Sequence, residues 1–190
     1  MGSLNISNTP WLWIVAAIAV GLMALAVWFS YRKKKSNRLH HRFGPEYARA
    51  MEDQGSRSKA EAELQSRQRR VDKLNITALT AADAERFSQS WNALQGRFVD
   101  NPQSAVSQAD QLVGEIMQKR GYPMADFERR AADISVDHPA VVQNYRAAQA
   151  LLMLSNGGKA STEQLRQAVV HYRAIFDELL GVPSASASAG

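Results

Sequence analysis

An apolar stretch near the N-terminus constrains this chain more than any other feature of its sequence. Residues 11–29, WLWIVAAIAVGLMALAVWF, contain no charged residue, no proline and no strongly polar side chain. As an α-helix this stretch is about 28 Å long, close to the roughly 30 Å thickness of the hydrocarbon core of a bilayer. A helix also satisfies its own backbone hydrogen bonds, as lipid requires. The sequence therefore predicts a transmembrane helix over residues 11–30.

Both flanks of the stretch carry residues that favour a membrane interface. Aromatic rings lie at its two edges, and a basic collar over residues 31–43 follows it. Residues 1–10 contain no Lys or Arg, whereas residues 32–42 contain six, so we expect an extracytoplasmic lead and a cytoplasmic C-terminal part. The expected interface anchors are Trp11, Trp13, Trp28, Tyr31, Arg32, Lys33, Lys34 and Lys35.

A cleavable signal peptide is the alternative interpretation of the apolar stretch. Such a peptide has basic residues before a shorter apolar core, and a cleavage site with small residues after it. Here the basic residues follow the core, and the core is longer. The sequence thus favours a retained anchor over an exported domain that is released by cleavage.

The location of the charge decides what the overall basicity means. The chain has 23 Lys and Arg against 18 Asp and Glu, but six of the basic residues lie in the collar. The remainder, with 17 basic against 18 acidic residues, is nearly neutral. A nucleic-acid-binding domain needs clustered positive charge, so we expect no nucleic-acid partner. The absence of cysteine excludes disulfides and thiolate chemistry.

Residues 44–181 read as a series of amphipathic helices separated by Gly, Pro and Asn. Thr80 with Asp83, Asn101 before Pro102, and Ser161 with Gln164 are typical of helix N-termini, and Gly121 is typical of a C-terminus. We also expect a helix to open at residues 137–139, Asp-His-Pro. No alternating β-pattern of useful length occurs. The prediction is an all-α bundle of about five or six helices, followed by a disordered low-complexity tail over residues 182–190.

The sequence offers little for catalysis. It lacks the phosphate-binding, dinucleotide-binding, nucleophile-elbow and helical zinc-binding motifs, and His40 with His41 has no further ligands at a fixed spacing. We therefore expect no enzyme activity, no cofactor and no metal site. The arginines at positions 67, 69 and 70 are interpreted as a solvated helix face, with contact to the membrane or to an acidic partner as the alternative.

The connector over residues 120–138 is the candidate binding surface. Its polar and aromatic side chains lie between two strongly patterned helices, and loops held by a rigid scaffold are common sites of binding. The alternative is that its aspartates cap helices or pair with nearby arginines. The candidate residues are Arg120, Tyr122, Asp126, Arg130, Asp133 and His138.

The chain resembles a group of uncharacterised bacterial single-span membrane proteins, some of which are labelled as secreted. The stretches that carry the resemblance are FGPEY at residues 43–47, RGYPMADFERRAADISVDHP at residues 120–139 and LRQAVVHYRAIFDELL at residues 165–180. The resemblance implies a bacterial membrane protein and brings no activity, cofactor or catalytic residue with it.

Together these features predict a single-pass protein of the bacterial inner membrane. Its helical domain is expected on the cytoplasmic side, as an interaction or assembly module. The expected partners are the lipid bilayer and either another protein or a second copy of the chain. The alternative is a domain exported to the cell envelope after signal cleavage.

Overall fold

The computed structural model describes the backbone of residues 10–181, and the side chains in that range other than those of residues 10–12, 28–29 and 31–35. In this part of the chain there are eight α-helices and no β-strand, which confirms the all-α prediction. The helices are α1 (Pro10–Phe43), α2 (Pro45–Gln54), α3 (Arg57–Val71), α4 (Ala81–Arg97), α5 (Pro102–Arg120), α6 (Phe127–Asp137), α7 (Val142–Asn156) and α8 (Thr162–Leu180). After Gly44 there are thus seven helices rather than five or six, and two of them, α2 and α6, are short.

The chain divides into two compact units between His41 and Arg42. In the first unit, α1 continues through the basic collar, and residues 13–27 are all exposed. No helix in the described part of the chain is long and apolar enough to cross a membrane. The span over residues 11–30 therefore stays a prediction. Most of the expected lead and all of the expected tail fall outside the described residues.

Helix α1 ends at Gly44, whose φ of 49° and ψ of −125° favour glycine over every other residue. Pro45 then occupies the first turn of α2, where a missing N–H costs nothing. Gly44 is thus the single residue that separates α1 from α2.

Local capping interactions begin the helices where the sequence predicts them. The side chains of Thr80 and Asn101 accept hydrogen bonds from the backbone N–H groups of Asp83 and Ser104. Ser161 and Gln164 form a reciprocal capping box at the start of α8. Gly121 ends α5 in the left-handed conformation, as expected.

The helix start expected at residues 137–139 is wrong. Asp137 is the last residue of α6, His138 caps the C-terminus of that helix, and Pro139 lies in the turn that follows. Helix α7 begins only at Val142, without a side-chain cap. The Asp137 carboxylate binds Tyr122 and Arg42 instead of capping a helix.

The main core lies among α4, α5, α7 and α8, and α6 lies beside it. Its largest fully buried side chains include Phe87, Trp91, Ile116, Met117, Ile134, Tyr145, Tyr172, Ile175 and Phe176. Residues 131–136 of α6 are all buried, although three helical turns normally leave one face in water. The reason is that α6 packs on α7 and also on α3.

Helices α2 and α3 form a hairpin, residues 45–71, that packs on itself. Its buried apolar side chains lie outside the main core, as does Phe43 immediately before it. The hairpin residues concerned are Tyr47, Ala50, Ala60, Leu64 and Val71. The second unit therefore consists of a helical bundle, α4–α8, and the α2–α3 hairpin.

Candidate functional site

The structure separates the six candidate residues of the connector into different environments. Arg120 and His138 meet at the C-terminal end of α8. Nη1 of Arg120 lies 3.2 Å from the carbonyl oxygen of Leu179 and 3.4 Å from Nε2 of His138. Nδ1 of His138 is 2.8 Å from Oε1 of Glu178. These contacts tie α5 and α6 to the last turn of α8, where a cation is favourable beside unpaired carbonyl groups.

Tyr122, two residues after Arg120, is buried and only 2 % exposed. Its hydroxyl donates to Oδ2 of Asp137 over 3.2 Å, and Nη2 of Arg42 lies 3.8 Å from the other carboxylate oxygen. Burial, and then the negative charge of Asp137, raise the pKa of the Tyr122 hydroxyl above its usual range. The tyrosine therefore acts as a neutral donor that holds the end of α6.

Asp126 and Arg130 take no part in that cluster. Asp126 caps α6 by accepting from the N–H of Arg129, as the alternative interpretation expected. Arg130 lies over Gly114 of α5, where a Cβ would be 3.7 Å from its Nη1. Its Nε is buried without a hydrogen-bond partner in the described structure.

Asp133 forms a buried ion pair with α3. It is 1 % exposed, and its Oδ1 lies 2.6 Å from Nη2 and 2.8 Å from Nε of Arg70. Its other oxygen, Oδ2, is buried and has no partner in the described structure. The interpretation as a solvated face is therefore wrong for Arg70, and also for Arg67, which binds the buried Glu46.

A second buried carboxylate was not predicted as a site residue. Glu46 of α2 is 0 % exposed and is surrounded by three side chains, which together we call the Glu46 clamp: Arg67, Gln143 and Arg146. Oε1 accepts from Nε2 of Gln143 over 3.1 Å and from Nε of Arg146 over 3.2 Å. Oε2 accepts from Nη2 of Arg146 over 3.2 Å and from Nη1 of Arg67 over 3.5 Å.

The charges of the Glu46 clamp are balanced by further contacts at its rim. Arg146 also binds the exposed Glu128 over 2.6 Å, and Arg67 binds Glu63 over 3.1 Å. Burial acts to lower the pKa of Arg146, but the two carboxylates outweigh it and raise that pKa above its usual value. Two arginines and three carboxylates thus form one network across α2, α3, α6 and α7.

A third polar group lies inside the main core. The Tyr172 hydroxyl donates to Oδ1 of Asp110 over 3.0 Å, whereas the Tyr145 hydroxyl is buried without a partner in the described structure. Burial raises the pKa of both tyrosines above their usual range, and the charge of Asp110 adds to the effect. Both hydroxyls therefore remain neutral at physiological pH.

The expected interface anchors lie mostly outside the described side chains. Trp13 is described and is 76 % exposed. The side chains outside the description are Trp11, Trp28, Tyr31, Arg32, Lys33, Lys34 and Lys35. In the described part of the chain, no three His, Cys, Asp or Glu side chains are arranged to hold a metal ion.

A comparison with protein-family models, with curated proteins and with solved structures found no match to this chain. The resemblance to bacterial single-span proteins therefore stays an expectation.

Proposed function

We propose that this chain is a single-pass protein of the bacterial inner membrane, with its helical domain on the cytoplasmic side as an interaction or assembly module. The observation that carries the proposal is the surface of α1. Residues 13–27 are helical, carry no charge and are exposed on every face. Fifteen exposed residues of this kind are unfavourable in water and favourable in lipid.

The residues that follow support the orientation. The basic side chains of the collar favour the negatively charged inner leaflet, by about 1 kcal/mol each. They also oppose transfer across the membrane during insertion. In this orientation the second unit, which begins at Arg42, follows the collar on the cytoplasmic side of the membrane.

The arrangement of the charged side chains supports a binding role over a catalytic one. Arg120, Asp133 and His138 each bind a side chain or carbonyl group of another helix. Asp126 caps its own helix. Such contacts fix the relative positions of helices and leave these groups engaged with the protein itself, which suits a domain that presents surfaces to a partner rather than one that carries out a reaction.

Single-cysteine labelling tests the orientation, because the natural chain contains no cysteine and is its own blank control. Ser7→Cys places a thiol in the N-terminal lead, and Val99→Cys places one in the domain at a position that is 85 % exposed. In spheroplasts a membrane-impermeant maleimide should label Ser7→Cys alone, and after lysis it should label both. Labelling of Val99→Cys in intact spheroplasts, or loss of the Ser7→Cys thiol by cleavage, would contradict the proposal.

Cross-linking in living cells tests the role as a module. The full chain should form a defined complex with another protein or with itself, and residues 1–43 fused to an unrelated domain should not. A full chain that stays monomeric without companions would argue against an assembly role.

A further inference from the structure

The α2–α3 hairpin has the properties of a separate structural unit within the domain. Its two helices pack on each other, and its buried apolar side chains are not part of the main core. Units of this kind open separately from the rest of a protein when their contacts to it are weak. The nature of those contacts therefore decides how the hairpin behaves.

Helix α3 of the hairpin packs on α6, and two buried carboxylates, one from each side, also join the hairpin to the bundle. Glu46 of the hairpin binds Gln143 and Arg146 of α7. Asp133 of α6 binds Arg70 of the hairpin. Arg146 and Arg70 each bind their carboxylate through two nitrogen atoms of the guanidinium, so the contacts specify one docked position.

Such contacts specify a position better than they stabilise it. The cost of removing carboxylate and guanidinium groups from water offsets most of their mutual attraction. In the Asp133 pair one carboxylate oxygen is buried and has no partner among the described residues, which lowers the net gain further. The main core, by contrast, is held by burial of large apolar and aromatic side chains.

The chain on both sides of the hairpin is suited to a hinge. Gly44 separates it from α1 with a backbone conformation that glycine adopts easily. On the other side, residues 72–80 form no helix. The N–H groups of residues 72–74 bond back to the last turn of α3, whereas Ile76 packs on the main core and the N–H of Thr77 binds the carbonyl oxygen of Arg120. The chain therefore turns between Leu74 and Ile76, which places the hinge there.

We propose that the α2–α3 hairpin opens from the bundle as a unit while the main core stays folded, and that the Glu46 clamp and the Arg70–Asp133 pair hold it closed. Opening uncovers the face of α6 that carries Asp133 and Val136. Val136 is 2 % exposed and lies outside the main core. This inference concerns contacts within the second unit and does not depend on the membrane proposal.

Thiol labelling of the full chain in a mild detergent tests the opening. Val136→Cys reports on the face of α6 that carries Asp133, one turn further along the helix, and Val113→Cys of α5, which is 0 % exposed in the main core, is its matched control. With slow labelling, each rate follows the population in which that thiol is exposed. The thiol at position 136 should react at least about tenfold faster than the one at position 113. Equal rates would overturn the proposal.

A core substitution gives a second, independent readout. Ile175→Val weakens the main core and should speed labelling at position 113 by about 2–10-fold. It should leave labelling at position 136 unchanged, because the open state keeps the core. An equal acceleration at both positions would show that the hairpin and the bundle unfold together.

Two further variants serve if the valine replacements prevent folding. Ala132→Cys lies one turn before Val136 on α6 and outside the main core, and Ala109→Cys of α5 is the control within it. The thiol at position 132 should again react faster than the one at position 109. Because Ala132 is slightly exposed, the labelling of its thiol in the closed state is subtracted first. The absence of this difference counts against the proposal in the same way.

Discussion

At the scale of single residues, Arg146 shows how burial changes the worth of an ion pair. Its guanidinium binds two carboxylates, Glu46 at 3.2 Å and Glu128 at 2.6 Å. The Glu46 side chain is 0 % exposed, and that of Glu128 is 66 % exposed. A pair in water loses most of its attraction to screening, whereas a buried charge that loses its partner is left in a poorly polar environment.

Replacing each glutamate by glutamine separates these two cases. Glu46→Gln leaves two arginines facing a neutral amide in a closed site and should lower the free energy of unfolding by about 3–5 kcal/mol, or by the free energy of opening the hairpin where that is smaller. Glu128→Gln removes the shorter of the two pairs and should cost less than about 1 kcal/mol. Urea unfolding of the full chain measures both. Equal costs would mean that the Glu46 clamp contributes no more than a surface pair.

At the scale of helices, the structure could be predicted wherever the signal is local. Thr80, Asn101 and Ser161 cap the helices that the sequence assigned to them, because each cap binds a backbone group three residues away. The sequence failed at Asp137, whose carboxylate binds a hydroxyl fifteen residues earlier in the chain. An aspartate shortly before a proline is typical of a helix N-cap in sequence. Only the packed structure shows that its carboxylate accepts a hydrogen bond from the Tyr122 hydroxyl instead.

Two glycines that end helices provide a matched pair at this scale. Gly121 and Gly181 both lie in the left-handed region, with φ of 100° and 77°. At Gly181 an added Cβ meets no atom of the described residues within 4 Å, so Gly181→Ala should cost only the conformational strain, about 1–2 kcal/mol. At Gly121 the Cβ would lie 2.5 Å from the carbonyl oxygen of Asn75.

Gly121→Ala should therefore cost clearly more than Gly181→Ala, because the loop around Asn75 has to move away from the end of α5. Thermal unfolding of both variants, compared with the natural chain, measures the difference. Equal shifts in the unfolding temperature would show that the loop gives way without cost.

At the scale of the whole molecule, the candidate site was only partly predictable. The sequence indicated the connector, and four of its six candidate residues do bind groups on another helix. It assigned no role to Glu46. The clamp around Glu46 is made by residues 21, 97 and 100 positions away. No local pattern links positions so far apart, although an acidic residue in the first turn after Gly44-Pro45 was visible as part of the FGPEY stretch.

At the same scale, the two units of the chain differ in what covers their apolar side chains. The second unit folds around its own core, whereas the apolar surface of α1 has no core of its own to cover it. In the proposed function the first unit is the anchor and the second unit binds the partner. The central claim is that α1 is a retained anchor.

Extraction of isolated membranes with alkaline carbonate tests that claim most directly, because it releases peripheral and trapped proteins and leaves spanning helices in the bilayer. We predict that the full-length chain stays in the membrane pellet and enters the supernatant only when detergent is added. Recovery of the chain in the carbonate supernatant without detergent would contradict the account.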